Sequence, residues 1–228
     1  MNSTYLIGVL MYFPVWLILY IYRKDLRKEI LLMGSLVAIV ATFMEAFIWT
    51  KDWWKPTTIT GTIVGIEDIL FGFFVGGIIV SIYEEIFKDK LVKIRGKKNT
   101  HLKHFIIVIL LSTFIGNFTF FYINIHSFYS SLFTMLIPTL VIYFYRKDLI
   151  ILSLTSGVII TLISIPIYYI IFSFDPTAIN FWIHKNISGI MLLNIPVEDL
   201  VWFFVTGMFI SPLYEFWKGE KLETINKK

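Results

Sequence analysis

The stretches "GIEDILFGFF" at residues 65–74 and "PVEDLVWFF" at 196–204 each set two adjacent carboxylates into an apolar run. Glu67 and Asp68 recur as Glu198 and Asp199 at an offset of 131, and Gly76 recurs as Gly207. Phe73 and Phe74 fall on Phe204 and Val205, and Tyr83-Glu84 on Tyr214-Glu215, at that same offset. A second duplication lies upstream: "YRKDL" occurs at 22–26 and 145–149, an offset of 123, each time closing an apolar segment that contains a proline. Two blocks at constant spacing imply an internal repeat. The change from 123 to 131 predicts about eight extra residues in one loop of the second copy.

The setting of these motifs is a membrane. The chain has 228 residues, 57% of them hydrophobic and only 16% charged, and its mean hydropathy is +0.76. That profile belongs to integral membrane proteins. With no cysteine, disulfides and thiolate chemistry are excluded. The start, "MNSTYLIG", lacks a basic segment and its apolar run ends in "RKDLRKE", so it reads as a retained first span. The net charge of +4 does not point to nucleic acid, because the basic residues sit in short segments between apolar runs.

A membrane-crossing helix needs roughly 20 mostly apolar residues. Seven stretches qualify, at about 4–22, 30–50, 61–83, 105–125, 128–145, 149–172 and 190–216. The predicted fold class is therefore all-α integral membrane. Three helices (1–88) and three helices with a tail (127–228) would form two parallel repeats, joined through a basic loop and linking helix (89–126). Seventeen of the twenty Lys and Arg fall on one side of this layout, and only Lys51, Lys55 and Lys185 on the other. The positive-inside rule then puts the N-terminus outside the cell membrane and the C-terminus in the cytoplasm.

Acids in such helices have two readings. Pro196 suits a first helical turn, and carboxylates there complement the helix dipole. An ionisable group at membrane depth is also costly and usually functional. In a parallel repeat, equivalent residues share a depth, so Glu67/Asp68 and Glu198/Asp199 would meet across one cavity. Successive helical side chains point about 100° apart. The glutamates are expected to face inward as an acid/base pair, Glu67 beside Phe71 and Phe74, Glu198 beside Trp202, with Asp68 and Asp199 next to them. Phe73, Phe203 and Phe204 flank the same acids. Glu45, near the same depth, either tunes one half of the site or bonds locally. Glu84, Glu85 and Glu215 lie at the opposite ends of their helices, where pairing with Arg23 and Arg146 is expected. No histidine has the spacing to a carboxylate that a metal site requires, and no phosphate-binding glycine loop occurs. The seventh span has no lysine before Lys218, so a retinal Schiff base has no place.

The segments "DWWKPTTITGTIVGIEDILFGFF" and "FSFDPTAINFWIHKNISGIMLLNIPVEDLVWFF" resemble the paired signatures of the membrane lycopene cyclase domain family. The likeness covers both repeats and fits the fused two-repeat form. Two departures stand out: aspartate is the second acid in both copies (Asp68, Asp199), and Gly65 stands where proline is expected. The resemblance implies a carotenoid cyclase, an isomerase that uses no cofactor and closes end rings on a linear carotenoid by proton transfer within the lipid bilayer. Homo-oligomerisation is left open. A carboxyl kept from water beside a second acid holds a proton for such chemistry. The cation it makes would rest on aromatic faces, so Glu45, Phe71, Phe74, Trp202, Phe203 and Phe204 are the expected substrate contacts. Two rivals are a SWEET-type solute carrier, whose parallel layout is the same, and a non-catalytic carotenoid-binding subunit.

Overall fold

Backbone groups in hydrocarbon must be satisfied within the chain, and helices do this segment by segment. In the computed structural model, which describes residues 3–87, 89–93 and 102–224, seven helical segments are long and apolar enough to cross a membrane. They run Thr4–Tyr22, Arg27–Asp52, Ile66–Phe87, Leu102–Tyr122, Ser127–Tyr145, Lys147–Phe174 and Val197–Lys218. The chain is thus an all-α membrane protein. Most of the basic stretch expected between the third and fourth spans, including Lys88, Arg95, Lys97, Lys98 and His101, lies outside the described residues, as do Lys227 and Lys228.

Two boundaries differ from expectation. The third span starts at Ile66, not near 61, because Gly61 has a positive φ of 71° and breaks the run. The seventh starts at Val197, because Met191–Leu192 and Ile195–Pro196 pair as a short antiparallel hairpin turned by Leu193 and Asn194, both at positive φ.

The third and seventh spans form the centre, with 67% and 78% of their apolar windows buried, against 22% for the fourth. Each has a break before its last turn and a half: Ile66–Ile79 gives way to Ile82–Phe87, and Val197–Ile210 to Leu213–Lys218. The strands that follow them, Asp89–Lys93 and Glu220–Thr224, pair antiparallel. Both central spans therefore finish at the same end of the bundle.

Small residues allow the backbones to approach, as in membrane helix packing generally. A Cβ added to Gly34 would fall 2.7 Å from the Phe73 carbonyl oxygen, and one on Gly157 would fall 2.5 Å from that of Phe204. These contacts correspond at the two sequence offsets, so the second span packs on the third as the sixth packs on the seventh. Gly207 faces backbone as well, its Cβ position lying 2.6 Å from the Gly157 Cα. Within the fifth span Pro138 cannot donate to the Thr134 carbonyl, and Ser112 of the fourth span takes that place with a 2.8 Å hydrogen bond.

At the end away from the acidic motifs, the duplicated "YRKDL" builds the same local pair twice. Arg23 binds Asp25 at 2.9 and 3.0 Å, and Arg146 binds Asp148 at 2.7 and 2.8 Å. Arg23 also reaches Glu85 at 3.7 Å. Glu84 and Glu215, each fully buried, lie near one another, with Arg146 nearby. The close arginine pairs thus include Asp25, Asp148 and Glu85, and Glu84 and Glu215 lie where the third and seventh spans meet the same arginines.

Replacing Gly207 with Leu drives a side chain into the backbone of the sixth span, which cannot yield. Thermal unfolding in detergent is expected to show a loss at or above the upper end of about 1–3 kcal/mol for overpacking. Val201→Leu, on a lipid-facing position of the same helix that is 38% exposed, serves as the silent control.

Candidate active site

The third span begins with Gly65 as its N-cap, which makes Glu67 the second helical residue and Asp68 the third. A carboxylate at the third position reaches back to the N-cap backbone, and Asp68 Oδ2 accepts from Gly65 N at 2.7 Å. The seventh span repeats the frame with Pro196 as N-cap, Glu198 second and Asp199 third. Proline has no N–H to offer. Asp199 instead accepts from the indole Nε1 of Trp182 at 2.7 Å. Each aspartate then takes a phenol from another helix: Tyr5 donates to Asp68 Oδ1 at 2.7 Å, and Tyr168 donates to Asp199 Oδ2.

These bonds fix which acid faces inward. A cavity opens between the first, second, third, sixth and seventh spans, and Asp68 and Asp199 both line it, as does Glu45. The glutamates do not line it, contrary to the expected facing. Glu67 Oε1 accepts from Ile59 N at 2.6 Å and Glu198 Oε1 from Ser188 N at 2.6 Å, so each holds the loop that precedes its own helix. The reason is the position within the first turn. The third residue is drawn back over the helix start, and the second, about 100° away, is left facing the incoming loop.

The aromatic expectations divide along the same line. Phe71, Trp202 and Phe203, three or four residues after the aspartates, line the cavity. Phe71 stacks on Trp202 with centroids 6.2 Å apart, and Trp49 meets Trp202 edge-on at 5.5 Å. Phe74 and Phe204 lie a turn deeper and outside the lining. Phe74 packs on Phe13 and Trp16, and Phe204 fills the space over Gly157.

The loops that lead into the two central helices close over the cavity together. Lys55 N donates to Phe181 O at 2.7 Å, Ile183 N donates to Trp53 O at 2.8 Å, and the rings of Trp54 and Trp182 touch at 4.5 Å. Asp175, in the second loop, is tied to the first span. The hydroxyls of Thr177 and Thr4 donate to it at 2.5 and 2.6 Å and hold its carboxyl down at about 2.

Several site residues carry little sequence signal. Tyr5 and Trp182 are ordinary aromatics in an aromatic-rich chain. Tyr168 has one usable clue, because it falls on Glu45 at the 123 offset, so both copies place a polar group at that point of their second helix.

The two N-caps are not interchangeable. Gly65 has φ −117°, away from the roughly −65° that proline fixes. A Cβ there would lie 2.1 Å from Glu67 Oε2 and 2.9 Å from Thr58 Cβ. Gly65→Pro also removes the N–H that holds Asp68. We expect it to unfold or displace the start of the third span, at a cost of about 3 kcal/mol or more, seen as a lowered melting temperature and as faster proteolysis in the 53–65 loop. Gly65→Ala should cost less, since the Asp68 bond survives.

Comparison with known families gives one match, to the family described as lycopene cyclase, over residues 2–86 and 126–217. The gap contains the fourth span, and the two matched regions contain the duplicated segments. No curated protein and no solved structure matches the chain. Matched on both sides of its linking helix, over well over half its length, the chain belongs to the lycopene cyclase family.

Proposed function

We propose that this protein closes end rings on a linear carotenoid by intramembrane proton transfer, with no net redox change. Supporting this is a single observation: the family's duplicated acidic motif delivers two aspartates, with Glu45, into an aromatic-walled cavity inside the helix bundle. A carotenoid end group would enter with part of its chain still among the helices.

The chemistry suits that surrounding. A carbon–carbon double bond is a very weak base, so its protonation needs a carboxyl shielded from water. Proton addition to the terminal double bond leaves a cation on the neighbouring carbon. The next double bond attacks it and closes the ring. Loss of a ring proton to a carboxylate then completes an isomer of the substrate. Throughout, the faces of Phe71, Trp202 and Phe203 stabilise positive charge without supplying a nucleophile. Asp68 and Asp199 take direct part, and Glu67 and Glu198 keep the loops folded over the cavity. We also take the two halves to be parallel repeats. On the Lys/Arg asymmetry, the cavity end and the N-terminus face away from the cytoplasm of the cell membrane.

Expression in a lycopene-accumulating bacterium, with chromatography of the pigments, tests the reading directly. Wild type should yield cyclic carotenoid, and unchanged lycopene would overturn it. Per folded molecule, Asp68→Asn and Asp199→Asn should each lose about 10²–10⁴-fold in rate, the range for a missing acid or base. Glu67→Gln and Glu198→Gln keep an acceptor for the loop N–H. They should stay within about tenfold of wild type, the equivalent of one modest hydrogen bond.

For the topology, a reporter fused after Lys228 should be active only in the cytoplasm. Activity on the far side would reverse the orientation.

A further inference from the structure

The two aspartates are poorly placed to begin the reaction. Asp68 accepts from Tyr5 on one oxygen and from Gly65 N on the other, and Asp199 accepts from Tyr168 and Trp182 in the same way. Both oxygens of each carboxyl already receive a hydrogen, and donors aimed at a carboxylate favour its charged form. Such groups suit accepting a proton from a cation better than carrying one to an alkene.

Glu45 is placed differently. It lines the same cavity, is 2% exposed, and its Oε1 has no hydrogen-bond partner. A buried, unpartnered carboxylate is costly in an apolar setting, whereas a carboxyl that keeps its proton is not. The backbone is also unusual at this point. The second span switches from α-helix to a π turn at Glu45–Trp49, a feature that recurs at functional sites. Thr50 Oγ1 bonds the Glu45 carbonyl at 3.0 Å. The far end of the π turn, Trp49, lines the cavity edge-on to Trp202. An acid and an aromatic wall thus come from one turn.

The duplicated sequence sharpens the contrast. Position 168, which answers to 45 at the 123 offset, is a tyrosine whose hydroxyl serves Asp199. In the first half Asp68 receives its phenol from Tyr5 on another helix, so position 45 is free of that duty and carries an acid.

We propose that Glu45 is the catalytic general acid, the group whose proton starts ring closure. This rests on the cyclase reading and adds to it a single donor on one side of the cavity. The Glu45 O–H bond breaks as the proton joins the inner carbon of the end double bond through its π pair, leaving the cation on the outer, dimethyl-bearing carbon that the next double bond attacks. After the ring closes, a ring C–H bond breaks, its electron pair forms the ring double bond, and the proton goes to an aspartate carboxylate. Between turnovers the aspartate gives up its proton to solvent and Glu45 takes one from solvent. One proton enters the substrate and one leaves, and the enzyme is restored.

The test uses the full chain in detergent with lycopene, in D2O buffer. Wild type should place one solvent deuterium in each new ring. Glu45→Gln should reduce turnover by about 10²–10⁴-fold, whereas Glu45→Asp, which keeps a proton, should retain measurable activity. A Glu45→Gln protein that cyclises lycopene at the wild-type rate would overturn the assignment. If wild type itself leaves lycopene unchanged, it is the cyclase reading that fails. Should Glu45→Gln not fold, the wild-type protein decides the matter through labelling by dicyclohexylcarbodiimide, which attacks protonated carboxyls in apolar sites. An adduct mapped to Glu45 and suppressed by lycopene supports the donor role. Adducts on Asp68 or Asp199 with Glu45 untouched refute it.

Discussion

A carboxylate inside a membrane protein must be given hydrogen-bond donors, and the rest of this structure is arranged around that need. Asp68 and Asp199 each draw two donors from separate parts of the chain. The first span supplies Tyr5, the sixth supplies Tyr168, and the loops supply Gly65 N and Trp182. Four bonds thus connect the first and sixth spans, and the loop before each central helix, to the starts of the third and seventh. Removing one donor would leave a buried acceptor, so the cavity shape and the hydrogen bonding cannot be varied separately.

Much of this was legible in the sequence, for physical reasons. Hydrocarbon thickness sets helix length, so all seven spans could be counted from apolar runs, and constant offsets marked the duplicated segments. Errors arose where apolar residues do not form helix. The stretch 61–65 is apolar enough to continue a span, yet Gly61 turns it, and the run near Ile190 became a hairpin. The acid that lines the cavity is the aspartate, one residue beyond the expected glutamate. Two neighbours on a helix differ by about 100°, and which faces inward depends on the N-cap residue. Pro196 marks that position in one copy, but Gly65 gives no comparable signal in the other. With the frame fixed at Asp68 and Asp199, Phe71, Trp202 and Phe203 follow, and Phe74 and Phe204 fall outside the lining.

The differences between the copies say more about chemistry than their likeness does. At the N-cap, glycine provides an N–H that proline cannot, and Trp182 supplies the missing donor in the proline copy. The aspartates are therefore equally satisfied by unlike means, which marks their two-donor state as the feature being held constant. At positions 45 and 168 the reverse applies: equivalent places carry an unpartnered acid and a phenol engaged with Asp199. Here the chemistry itself has diverged.

On the proposed reading, that divergence is what the reaction demands. Ring closure uses one group to give a proton and another to take one, and two identical half-sites would present the same group at both ends of the cavity. A duplicated scaffold can supply two carboxylates at matching positions, but it can distinguish donor from acceptor only by altering what surrounds them. Tyr168 in place of a second glutamate leaves the Asp199 side without a free carboxyl, so protonation can start only from the Glu45 side. An end group must then enter in one orientation, with its terminal double bond toward the second span and the aromatic wall of Phe71, Trp202 and Phe203 along the forming ring.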